Sequence, residues 1–465
     1  MNAAPGWRHL RGALPRPAGW PQEIRATLRL ALPLVAGQLS IFGMTMAEVI
    51  LAGHLGAHVL GTVALGGALF NVANLGVAGI NAAVAPSISQ LDGAGLRREA
   101  GSLLGQALAI AAGVGLVFAL ATYLGGPLAA NAFGFAPALA ADVGGFMRAI
   151  APAALLFSLF YCLRGFSEGL SLVRPTMAFG LFGLAVLVPV GYALMYGAFG
   201  LPPLGARGAA FGADIAAAAQ TLGLALWLAF SSDYRGVRWG RGRRGLDLGA
   251  IAGLLRVGVP MAVSLLLEVT LFSAAGLIIG TFGEVAESGH QVALNVAALT
   301  FMVPLGFAIA TTVRVGNAAG RGDAAGVRRA GLCGMGLALL VQAAAGAAML
   351  LAPQAIARIY SDDPAVLRAA VVFLRIAGIF QLSDGLQVVA IGALRGLKDT
   401  RALMLITAFA YWGVGFPVAL LLTFSAGLGP VGMWVGLIAG LTVAAGLLTA
   451  RFLRQAARLR RALSA

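Results

Sequence analysis

Long apolar stretches separated by short polar loops set the rhythm of this chain. They run at roughly 28–52, 59–85, 101–125, 143–163, 176–198, 207–231, 251–280, 290–313, 330–352, 369–394, 402–424 and 430–453. Each approaches the roughly 20 residues that a helix needs to cross a hydrocarbon core. The pattern therefore predicts twelve transmembrane helices and an all-α membrane protein. An even number of crossings leaves both termini on one side. A secretory signal would be a short apolar run ending in a cleavage site. Here the first run is long and begins only near Leu28, after a basic tail with Arg8, Arg11, Arg16 and Arg25, so it reads as a first span.

The pattern also repeats. LRLALP at 28–33 recurs as LRVGVP at 255–260, and LRREAG at 96–101 as VRRAG at 327–331. LRG occurs at 163–165 and 394–396, and LGARGAAFG at 204–212 recurs as LGPVGMWVG at 428–436, all at offsets between 224 and 231. Six spans separate the copies, so the halves share one orientation. Parallel repeats of this kind are related by a pseudo-two-fold axis along the membrane normal, with a cavity expected between them. The expected domains are a basic cytoplasmic tail (1–27), an N-terminal six-helix bundle (28–231), a basic linker (232–250), a C-terminal six-helix bundle (251–453) and a second basic tail (454–465).

Composition agrees with burial in lipid. Of 465 residues, 60% are hydrophobic and 11% charged, against roughly 25% charged in a soluble domain. The 66 glycines suit close helix packing in lipid. A net charge of +15 would otherwise raise nucleic-acid binding, but the charges sit in short loops between spans. Of the 32 Lys and Arg, 27 fall in the tails, the even-to-odd loops and the adjoining ends of spans 1, 7 and 12 (Arg29, Arg256 and Arg451). The other five are Arg148, Arg207, Arg358, Arg368 and Arg375. The positive-inside rule then places both termini in the cytoplasm. Cys162 and Cys333 lie on or near separate spans without CxxC spacing, so they imply neither a disulfide framework nor a metal site.

Against this background, acids inside spans stand out. Glu268 sits near the middle of PMAVSLLLEVTLF, and Glu48, Asp214 and Asp384 also fall within apolar runs. A carboxylate at the bilayer centre costs about 2.5–3.5 kcal/mol on insertion scales, so it is a functional candidate by default. Gln381, Asp384 and Gln387 recur every three residues and share one helix face. Gln38, Thr45 and Glu48 form a looser stripe in span 1, and Gln291 and Asn295 are four apart in span 8. Such stripes face a cavity or one another rather than lipid. The alternative is a hydrogen-bond network that only glues helices, which neutral residues would do at lower cost. That alternative weighs most for Asp214, about two turns from the outer surface. Arg148 and Arg375 occupy matching places 227 residues apart and read as arginines snorkelling from helix ends.

Other motifs carry less. GFSEG at 165–169 matches G-x-S-x-G, but a nucleophile elbow needs a strand-to-helix turn. His54 and His58 have metal-like spacing in an outer loop without an acid or cysteine nearby in sequence. No G-x-x-x-x-G-K-[ST] occurs, which removes ATP as a direct energy source, and HExxH is absent.

Four long motifs then show a resemblance. EVTLF at 268–272, HQVALN at 290–295, FMVPLGFAIATTVRVG at 301–316 and DGLQVVAIGALRGLKD at 384–399 closely resemble the multidrug and toxic compound extrusion (MATE) transporters of the NorM type. GMTMAEVILAG at 43–53 resembles the same family's first span, and the resemblance covers about residues 25–455. It implies two six-helix bundles in a V that exchange organic cations for Na⁺ or H⁺. The family's cation-coupling acids map onto Glu268 and Asp384, which would also hold Na⁺, and its first-span Asp maps onto Glu48. Two positions depart from the family pattern. Phe380 stands where a tyrosine often precedes the span 10 acid, and Leu187 and Gly191 stand where asparagines often flank the span 5 proline, Pro189.

The expected function is secondary multidrug antiport across the inner membrane by a protein that is not an enzyme, needs no cofactor beyond its coupling ion, and works as a monomer. Cavity residues would include Gln38, Met44, Phe272, Gln291, Asn295, Phe301, Met302, Phe380, Gln381 and Gln387. An acidic cavity rich in Met and Phe would favour lipophilic cations, drugs and dyes among them. Desolvated carboxylates can carry protons, and paired acids with amide oxygens can hold a hard cation; the sequence leaves both open. A lipid-linked oligosaccharide flippase is the alternative, and its pyrophosphate would call for a strongly basic cavity. An enzyme would need a nucleophile–base or metal constellation within the spans, and none is found.

Overall fold

The computed structural model describes residues 19–237 and 245–464. Most of the basic tail of 1–27, the middle of the 232–250 linker and Ala465 lie outside the described residues. Twelve helices among those described are long and apolar enough to span a membrane, so this is a multi-pass membrane protein. In the first half they are α1 (Trp20–Gly53), α2 (Ala57–Gly93), α3 (Arg97–Ala132), α4 (Pro137–Gly169), α5 (Val173–Tyr196) and α6 (Ala206–Phe230). In the second half they are α7 (Leu248–Gly280), α8 (Glu284–Gly320), α9 (Ala324–Leu351), α10 (Pro364–Gly396), α11 (Thr400–Ser425) and α12 (Pro430–Ala462).

Many of the helices outrun their apolar stretches. An apolar run marks only the part that needs lipid; beyond it the helix continues with mixed polarity through the headgroups. The first turn of α1 holds Glu23, which is buried and pairs with Arg314 of α8 at 2.8 and 2.7 Å. Removing one partner of such a buried pair costs about 3–5 kcal/mol, because the other charge is left uncompensated. Glu284 and Glu287 start α8, where carboxylates complement the helix dipole. Two helices are irregular. α2 breaks at Ala82–Ala83, and α11 widens into π-helical turns over Phe409–Gly415 and Leu421–Ser425.

The chain forms two compact units. One takes the described chain through Val35, Gly93–Gly95 and the chain from Val263 onward. The other takes Ala36–Asp92 and Leu96–Ala262. The main boundaries, after Val35 and after Ala262, are 227 residues apart and so fall at equivalent places in the repeat. Each lies just past a matching proline, Pro33 or Pro260. The lead-in of α1 therefore belongs with the second-half helices, and the lead-in of α7 with the first-half helices.

Small residues make this possible. Within one unit, a Cβ on Gly306 of α8 would collide with Val35. Within the other, a Cβ on Gly79 of α2 would collide with Ala262. These two contacts are also equivalent in the repeat. The α7 lead-in buries Leu254, Val257 and Met261 in a core with Val84, Ile88, Leu104 and Phe160. Such backbone-close packing is how helices gain contact energy in lipid, where no hydrophobic drive separates them from the tails.

Candidate functional site

The second-half unit assembles a polar cluster around α10. Gln381, Asp384 and Gln387 are all buried, as their shared face predicts. They do not share partners. Gln381 donates to Thr300 of α8 at 2.6 Å and accepts from Gln342 of α9 at 2.6 Å. Gln387 accepts from the Tyr411 hydroxyl at 2.6 Å and donates to Glu268 at a long 3.5 Å. Tyr411 lies in a π-helical turn of α11, a device that recurs at functional sites. Asp384 lies within electrostatic reach of Glu268, and Glu268 within reach of Arg395. Carboxylates set inside spanning helices are costly to keep charged unless a positive charge or a donor meets them.

Beside Asp384 the wall is aromatic. Phe380 packs edge-on against Phe272 at 6.0 Å and against Trp434 at 5.8 Å. Phe301, Met302 and Asn295 are half-buried on α8. Gln291 is exposed and donates to Glu287 at 2.7 Å, so Gln291 and Asn295 do not form a buried stripe.

The first-half unit contains a cavity of about 400 Å³. Glu48, Thr45 and Met44 line it from α1, Asn71 and Asn74 from α2, Tyr161 from α4 and Gln220 from α6. Phe70, Phe157 and Tyr161 supply aromatic walls, with ring centroids 6.4 Å apart for Phe70–Phe157 and 6.1 Å for Phe157–Tyr161. Asn74 donates to the Tyr161 hydroxyl at 3.1 Å. The amides missing around Pro189 thus have counterparts on α2. Leu187 is buried in the core, and a Cβ on Gly212 would come within 3.0 Å of Gly191. Gln38 leaves the stripe that its spacing predicts and accepts from Arg164 of α4 at 2.5 Å.

The remaining polar residues find ordinary places. Asp214 is half-buried with one carboxylate oxygen unpartnered. Arg148 and Arg375 are both exposed. His58 lies 2.8 Å from Asp142, and His54 approaches the Ile50 carbonyl at 2.8 Å. GFSEG forms the last turn of α4, where Ser167 donates to the Leu172 carbonyl at 2.6 Å and Glu168 accepts from Arg164. Sequence reasoning missed Thr300, Gln342, Tyr411, Arg395, Asn71 and Asn74. Only Arg395 carried a signal, its place in the repeated LRG triplet.

Twelve spans in two repeated halves, with acids set inside spans and a polar-lined cavity in the first-half unit, define a membrane transporter and not an enzyme. The MatE family model matches the chain twice, at residues 33–193 and 260–421, again about 227 residues apart. This chain belongs to the MatE family. It is 41% identical over 441 residues to a probable multidrug resistance protein NorM of Xanthomonas axonopodis pv. citri (strain 306), covering 95% of this chain and 96% of that protein. It is 37% identical over 441 residues to the multidrug resistance protein PmpM of Pseudomonas aeruginosa, covering 94% and 92%. Its fold matches the crystal structure of the eukaryotic MATE transporter AtDTX14, with a TM-score of 0.86 at 22% identity over 96% of this chain and 99% of that one. It matches equally a MOP superfamily transporter from Pyrococcus furiosus, with a TM-score of 0.87 at 20% identity over 94% and 97%.

Proposed function

We propose that this protein is a secondary multidrug antiporter of the bacterial inner membrane, exporting lipophilic organic cations in exchange for Na⁺ or H⁺. The observation that carries the reading is the acid pair on spanning helices: Asp384 is buried, and half-buried Glu268 meets Gln387, which in turn accepts from Tyr411. A carboxylate pair in that setting has a place for one more positive charge, and the coupling ion supplies it. The first-half cavity supports the other part of the cycle. Its volume of about 400 Å³ falls in the range of small-molecule sites. Aromatic walls attract an organic cation, and Glu48 supplies the opposite charge. No Lys or Arg lines it, which is the reverse of what a pyrophosphate-linked sugar would need.

In this cycle the ion moves inward and binds the second-half acids, and its binding favours the state that releases drug outward. Both termini lie in the cytoplasm. A cysteine at Ser361 is then labelled from outside only, and one at Gly240, which lies outside the described residues, from the cytoplasm only. The function itself is tested by ethidium efflux from proteoliposomes with Na⁺ and proton gradients imposed separately. Efflux driven by one of them is expected; efflux that ignores both would rule out antiport.

A further inference from the structure

The LRG triplets place Arg164 and Arg395 at equivalent positions, 231 residues apart, at the ends of α4 and α10. The glycine after each arginine fixes its register. A Cβ on Gly165 would sit 3.2 Å from Val84, and one on Gly396 would sit 2.7 Å from the Thr312 carbonyl oxygen. Helical side chains lean toward the N-terminus of their own helix. Both guanidinium groups are therefore directed back along the span, away from the loop that follows.

The two arginines then meet different partners. Arg164 reaches the first span of its half, donating to Gln38 at 2.5 Å, and its charge is met by Glu168 one turn on at 2.6 Å. The residue one turn on from Arg395 is Asp399, but that carboxylate is already engaged. Arg451 donates to it at 2.7 and 3.3 Å, and Gln455 at 2.8 Å. Arg395 is left with a buried Nε that has no hydrogen-bond partner. It stands eleven residues after Asp384, about three turns, and so on the same face of α10. Its guanidinium lies within electrostatic reach of Glu268 on α7 and Tyr411 on α11, the two groups that Gln387 joins.

From this we infer that Arg395 is a tethered counter-ion of Glu268, a positioning residue that competes with the coupling ion for that acid's charge. When the ion departs, the guanidinium takes over part of that charge, so ion release does not leave Glu268 bare in an apolar site. When the ion arrives, it must displace this interaction. The inference rests on the antiporter reading but not on which ion is used, because a neighbouring positive charge opposes a proton and Na⁺ alike.

The test uses the full-length protein in proteoliposomes, with ethidium efflux driven by a proton or a Na⁺ gradient. The readouts are the half-saturating concentration of the driving ion and the maximal rate per folded transporter. Arg395→Gln is expected to lower the half-saturating concentration about tenfold and to slow the maximal rate, since the ion now leaves slowly. Arg395→Lys keeps the charge and is expected to stay near wild type. Arg164→Gln is expected to leave half-saturation unchanged. A folded Arg395→Gln protein with wild-type half-saturation overturns the inference. If Arg395→Gln does not fold, the double variant with Glu268→Gln should restore folded abundance, because both members of the pair are then removed; failure to restore it also overturns the inference. Wild-type protein that answers to neither gradient sinks the antiporter reading, and this inference with it. Gradient-driven wild-type efflux with an indifferent Arg395→Gln sinks this inference alone.

Discussion

The two halves of this chain share a repeat yet differ in how their buried charges are met. In the first half, Arg164 is closed off by Glu168 and Gln38, and Glu48 faces a cavity of about 400 Å³. In the second half, the carboxylate equivalent to Glu168 is held by Arg451 and Gln455. Arg395 is then left to face Glu268 and Tyr411, the two groups that Gln387 joins. The first half has a cavity beside Glu48, and the second half sets Glu268 and Asp384 near one another and near Arg395. The repeat supplies one scaffold, and the halves differ in which side chains satisfy which charges.

Breaking the second-half cluster should have the largest effect. Asp384→Asn is expected to cut gradient-driven efflux by on the order of a hundredfold while folded abundance stays near wild type, since an amide suits this polar face. The double variant with Glu268→Gln should be no worse than either single one, as for residues that act as a unit. Additive losses in efflux per folded transporter would mean two separate sites. Next in size is Glu48→Gln in the first-half cavity, expected to weaken efflux roughly threefold to tenfold, with residual exchange because Asn71, Asn74 and Gln220 remain. Complete loss at normal abundance would make the first-half site primary.

A smaller effect sharpens the account. Tyr411→Phe removes one hydrogen bond to Gln387, worth about 0.5–1.5 kcal/mol. It should shift the half-saturating ion concentration by about twofold to tenfold without abolishing efflux. An unchanged value would place Tyr411 outside the ion site. Smallest of all for transport is Arg164→Gln. It leaves Glu168 buried without its partner, so thermal stability should fall while efflux per folded molecule is kept; a loss of efflux at unchanged stability would assign the first-half arginine a transport role.

The spans are legible in the amino-acid sequence because a helix must keep some twenty residues apolar to cross lipid. Glu268 and Asp384 are legible because an acid there has no cheap structural excuse. Their partners are not. Gln381, Asp384 and Gln387 share a face, but which neighbour each one meets depends on α7, α8, α9 and α11. Asn71 and Asn74 sit in a stretch whose other residues are apolar, and they gain meaning only when α1 and α4 close a cavity against α2. The lead-ins of α1 and α7 join the other half's helices through glycine contacts, and glycine has no pattern that names its partner.

The central claim is that the second-half acids couple the ion while the first-half cavity holds the drug. Its most direct test is to measure ethidium binding and gradient-driven ethidium efflux on the same reconstituted preparation of Glu268→Gln. The account predicts binding close to wild type and loss of efflux under both proton and Na⁺ gradients. Wild-type efflux per folded transporter under either gradient would contradict it.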